Sequence, residues 1–62
     1  MSYYFVKDAT TQYGPWHVAV AVEPGKTISA TVANIARERG IIVCQDWTAE
    51  PIDEPEYVRL TT

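Results

Sequence analysis

The stretch TISATVANIARER (residues 27–39), entered from WHVAVAVE (16–23) and left through IIVCQ (41–45), decides the fold. Ile28, Val32, Ile35 and Ala36 recur at the spacing that places them on one side of a 3.6-residue turn, with Ala30, Asn34 and Arg37 opposite. That is one apolar stripe on a helix. The Thr27 hydroxyl suits the N-cap, where it accepts from an orphan N–H of the first turn, and Ser29 competes for the same role. Gly40 can take the left-handed conformation that closes a helix, and Arg37 and Arg39 lie beside the partly negative carbonyl end. With a strand on either side, the unit is strand, helix, strand.

Sixty-two residues make one domain, 1–62. A chain this short buries only about 60% of the surface its unfolded form exposes, so its stability is marginal and a dimer is one way to add to it. The 47% apolar content and mean hydropathy of −0.14 are those of a folded protein. A single cysteine, Cys44, excludes an intrachain disulfide and a Cys-x-x-Cys zinc site, which favours a reducing compartment. Met1-Ser2-Tyr3-Tyr4 lacks the basic and apolar regions of a signal peptide, and no run approaches membrane-spanning length. A cytoplasmic protein without cofactor or metal is expected.

Tyr3 to Lys7 is aromatic and β-branched and predicts a first strand, with Tyr4 and Val6 on one face and Tyr3 and Phe5 on the other. Asp8 to Gln12 is polar and, with the turn signal Gly14-Pro15, predicts a loop. In the second strand Trp16, Val18, Val20 and Val22 alternate with His17, Ala19, Ala21 and Glu23, so the first set should face the helix. Glu23-Pro24-Gly25-Lys26 has the chemistry of a type II turn, with proline at its second position and glycine at its third. The continuous apolar run Ile41 to Cys44 predicts a third strand over 41–45, buried on both faces. Pro51 and Pro55 oppose ladder pairing and make 46–56 a stiff loop, and the alternation Tyr57 to Thr61 predicts a last strand.

The expected architecture is α+β, ββαββ: a four-stranded, mainly antiparallel sheet of order 2-1-3-4 with one helix on one face. The other face, carrying His17, Ala19, Ala21, Tyr57 and Arg59, would stay open to solvent or a partner.

Charge is unevenly spread. Residues 1–45 hold four basic and three acidic side chains, whereas 46–62 hold Asp46, Glu50, Asp53, Glu54 and Glu56 against Arg59 alone. The net charge of −3 therefore lies in one segment, which also contains Trp47. Carboxylates around an aromatic suit a surface that steers to a basic protein and anchors there, so Asp46, Trp47, Glu50, Asp53, Glu54 and Glu56 are the candidate partner-binding residues. The plainer alternative is a solvated loop with Trp47 capping the core.

Catalytic sets are thin. His17, Cys44 and Asp46 are the residue types of a thiol nucleophile, its base and its orienter, but a lone cysteine in an apolar strand is ordinarily a small core residue. Asp53 and Glu54 lack the spacing of a calcium loop and have no histidine nearby. Aromatic strand residues could stack bases, yet pI ≈ 4.8 and five scattered basic residues leave no stripe for phosphates. The reverse fits better: a rigid acidic surface can occupy a basic groove that normally holds nucleic acid.

A minute acidic single domain with no catalytic set resembles, in format, the small proteins with which phages and mobile elements disable host machinery, among them anti-CRISPR proteins and phage inhibitors of host RNA polymerase. Those groups share no sequence pattern, so no functional position carries over. The resemblance implies a stoichiometric inhibitor without turnover, bound to a CRISPR effector or another nucleic-acid-handling complex. The expectation is thus a non-enzymatic acidic binding module. A structural or regulatory homodimer, joined through the open sheet face or a strand edge, is the alternative.

Overall fold

The computed structural model describes residues 1–44 and 46–62. Its elements are β1 (Ser2–Thr11), β2 (Gly14–Val22), α1 (Ile28–Glu38), β3 (Thr48–Ile52) and α2 (Glu54–Thr61). The three strands form an antiparallel sheet of order β2-β1-β3, so the first strand in the chain lies at the centre. The class is α+β, as the sequence predicts, but the described residues form three strands and two helices rather than four and one.

The first hairpin is longer than the polar composition of 8–12 suggests. β1 runs on to Thr11 and turns through Gln12 and Tyr13 alone. Val6 pairs with Val18 and Ala9 with Trp16, so Lys7 and Asp8 together face the single residue His17. This is a β-bulge, with Asp8 at φ 62°, a conformation that aspartate tolerates better than most side chains. The extra residue resets the alternation. Val6 and Ala9, which a regular strand would place on opposite faces, are both buried, at 0% and 1% exposure. Thr11 closes the turn, its Oγ1 donating to the Gly14 carbonyl (2.8 Å) and accepting from the Tyr13 N–H (3.1 Å).

The α1 unit follows its sequence signals. Lys26 N–H donates to the Glu23 carbonyl at 3.0 Å, with Gly25 at φ 83°, as a type II turn requires. Thr27 Oγ1 accepts from Ala30 N–H at 3.1 Å. At the far end Ile41 N–H donates to the Ala36 carbonyl (2.8 Å) and Gly40 N–H to the Arg37 carbonyl (3.2 Å), a Schellman closure around Gly40 at φ 67°. α1 lays Val32 and Ala36 on the sheet, and Val6, Val20, Val22 and Val32 form the core, flanked by Tyr4, Trp16, Ile28, Ile35 and Trp47.

The second half departs from expectation. Residues 41–44 do not form a central strand: Val43 makes a single bridge to Thr11, and Cys44 N–H donates to the Thr10 carbonyl at 2.9 Å. Gln45, the last residue of the predicted strand, lies outside the described residues. The true third strand is β3, in the segment expected to be loop. Pro51 is tolerated because β3 is an edge strand, whose outer side needs no donor. The predicted last strand is helix α2: the Asp53 carboxylate accepts from Glu56 N–H at 3.0 Å, and Pro55 sits in the first turn, where its missing N–H costs nothing. The alternation of Val58 and Leu60 is thus a solvated pattern, both side chains being exposed. α2 packs against β1 and β2 on the side away from α1, with the Tyr57 and Tyr3 rings 4.8 Å apart. The sheet face expected to be open is therefore partly covered.

Candidate functional site

The candidate residues lie along β3 and at its two ends, from Asp46 and Trp47 before the strand to Glu56 in the first turn of α2. β3 pairs only with β1, Tyr3 opposite Ile52 and Lys7 opposite Thr48, so its other side is a free edge. Asp46 precedes the strand and Asp53 and Glu54 follow it, which sets carboxylates at both ends of a five-residue edge of roughly 17 Å.

Several of these carboxylates have structural partners. Asp46 accepts from Thr10, at 2.9 Å from Oγ1 and 3.4 Å from N, and so is itself pinned to β1. Glu50 lies 2.7 Å from the Lys7 ammonium, which its hydrogen bond and charge hold above the ordinary lysine value of 10.5. Asp53 is the N-cap of α2. Glu56 pairs with Arg59 one turn on, Nε donating to Oε2 at 2.9 Å and the second nitrogen to Oε1, and that contact raises the guanidinium further above its usual range. Glu54 has no hydrogen-bond or ion-pair partner among the described residues. Neutralisation by Lys7 and Arg59 leaves Asp46, Asp53 and Glu54 as the uncompensated charges of the segment.

Trp47 is half-buried against the core. Its indole Nε1 is enclosed without a hydrogen-bond partner among the described residues. Its ring also floors an apolar groove of about 310 Å³ between α1 and residues 41–43, with Ala33, Ile41 and Ile42 on the walls. Ile42 is 74% exposed. The sequence marks Trp47 as an anchor or a core cap, and the structure packs it, half-buried, against the edge of the core cluster; the groove beside it was not legible, because it forms only where 41–44 leaves the sheet.

The residue types of a thiol site are not brought together. His17 lies on β2, stacked on Phe5 with ring centroids 6.2 Å apart, whereas Cys44 is exposed on the far side of β1. Two strand spacings, about 10 Å, separate those backbones. Among the described residues, no three His, Cys, Asp or Glu side chains gather where a metal ion could be held, and no helix is long and apolar enough to cross a membrane. No protein-family model, curated protein or solved structure matches the chain.

Proposed function

We propose that this domain is a non-enzymatic binding module that blocks a basic, nucleic-acid-binding surface of another protein, in the manner of the small phage inhibitors it resembles in format. The observation that carries this reading is the corner where β3 meets α2. There Asp53 and Glu54, unpaired with any basic side chain among the described residues, stand at a capped helix start directly after the edge strand that carries the Lys7-paired Glu50, so the free carboxylates are held on regular backbone rather than on a floppy loop. Fixed negative charge is what a phosphate-binding groove selects. Trp47 and Asp46 extend the surface along the same edge. The partner class is a protein with a basic groove, such as a CRISPR effector or another nucleic-acid-handling complex, bound without turnover.

The test is capture from lysate of the cells that express the protein, at low and moderate salt, with a Glu50→Gln, Asp53→Asn, Glu54→Gln variant alongside. Asparagine keeps the N-cap of α2, so the variant removes charge and not fold. Capture of a nucleic-acid-binding complex that added DNA displaces, weakened by salt and lost in the variant, is the expected result. Identical partners with the neutralised variant would make the acidic corner a solubility feature.

A further inference from the structure

The two edges of the sheet are unlike. The β3 edge is five residues long and carries Pro51 and Glu50, devices that discourage strand pairing. The β2 edge carries Pro15 only at its start, beside the hairpin turn: from Trp16 to Val22 it has no proline and no acidic or Lys/Arg side chain, and among the described residues no backbone hydrogen bond outside the β1 ladder reaches it. Trp16 and Val18 lie on the core face yet remain half-buried, while Val20 and Val22 further along are buried. Two open grooves run beside this edge. One, of about 190 Å³, lies between Ala21 and the Ala30/Asn34 side of α1; the other, of about 290 Å³, lies between Ala19, Arg39 and Leu60.

The geometry points to a second copy of this chain as the occupant: β2 pairs antiparallel with the β2 of its partner about a two-fold axis at Ala19, giving one six-stranded sheet. The surface is self-complementary in that register, as an isologous interface must be. Trp16 faces Val22 and Val18 faces Val20 on the α1 side, completing the burial that the monomer lacks. His17 faces Ala21 on the α2 side, where the small residues leave room for the ring. Leu60, 42% exposed beside Ala19, comes close to its own copy at the axis.

Charge fixes the ends. α1 returns antiparallel to β2, since its N-terminal Lys26 lines the groove at Ala21 and its C-terminal Arg39 the groove at His17 to Ala19. In the pair, the start of one α1 therefore lies beside the end of the other. Glu38 falls one turn after Asn34, on the side of α1 that faces this groove. The two-fold thus brings Lys26 to Glu38 of the other copy and Glu23 to Arg39, each contact occurring twice. Ala30 and Asn34 between them are small enough for the helices to approach at 8–10 Å. None of the acidic β3–α2 corner takes part, so this inference stands apart from the proposed function.

Sedimentation and light scattering over a dilution series test it, with Lys26→Glu, and Lys26→Glu combined with Glu38→Lys. Wild type should move from twice 7.0 kDa to 7.0 kDa on dilution. The single variant should dissociate about tenfold more readily, since two exposed pairs become repulsive, and the double variant should recover. In the dimer the outward-pointing backbone amides of 16–22, those not already bonded to β1, should gain hydrogen-exchange protection with concentration. A monomer at every concentration, a single variant indistinguishable from wild type, or β2 amides unprotected in a dimer would each overturn the assignment. The neutralised acidic variant should dimerise normally while losing its captured partner.

Discussion

On the face covered by α1, Val6, Val20 and Val32 are at most 2% exposed; on the face covered by α2, Tyr3, Phe5, Ile52 and Tyr57 stay half-buried and α2 itself has no buried residue. One face is a core and the other is a cover. An eight-residue helix is marginal by itself, so α2 holds its place through its cap, the Tyr3–Tyr57 contact and its half-exposed packing on β1 and β2. Stability should therefore reside in the α1 face, while α2 opens at low cost as a local event. The acidic corner sits at the hinge of that cover.

The largest effect that tests this contrast is expected from Val6→Ala. It opens a cavity under α1 and should cost about 2 kcal/mol, a large fraction of the stability of so small a domain. Urea denaturation checks it, and a loss no greater than that from changes in α2 would abolish the distinction between faces. Asp53→Ala comes next, removing the α2 cap at about 1 kcal/mol. Its signature is location: hydrogen exchange should quicken over residues 54–61 and stay unchanged in α1, whereas Asp53→Asn should behave as wild type. Equal acceleration in both helices would mean that the molecule opens as one unit.

Glu50→Gln should have the smallest effect, because the Lys7–Glu50 pair is exposed on the α2 face. The Lys7 pKa is raised in the fold, so the stabilisation from this pair is fully present below the ordinary value of 10.5 and is lost as pH rises through the higher folded value. An NMR titration should find Lys7 releasing its proton above 10.5 in wild type and closer to it in Glu50→Gln. No difference between the two would show that the pair does not persist in solution.

The same contrast explains what could be read in the sequence. Residues that build the α1 face announce themselves, since burial enforces a period: two for Trp16 to Val22, 3.6 for Ile28 to Ala36, with Thr27, Gly25 and Gly40 as punctuation. The α2 face imposes no such discipline. Val58 and Leu60 alternate by accident in a helix whose true signals are the Asp53-x-x-Glu56 cap and Pro55 in the first turn. Pro51 argues against a central strand but permits an edge strand, which is where β3 lies. Ile41 to Val43 mimics a buried strand because its apolar side chains close a helix end and wall a groove instead. Of the candidate site, the acidic character was legible from composition. That Lys7 and Arg59 neutralise Glu50 and Glu56 was not, since the Lys7 pairing depends on β3 lying beside β1.

The central position of β1 sets a timetable for synthesis. Its hairpin with β2 joins neighbours and closes in microseconds, but its other side waits for Thr48 to Ile52. At ribosomal rates that wait is about 2–8 s, during which the strand that ends as the best protected in the sheet is an open edge. The nascent chain is therefore most exposed to wrong pairing at Tyr3 to Lys7, the residues the finished molecule shields on both sides.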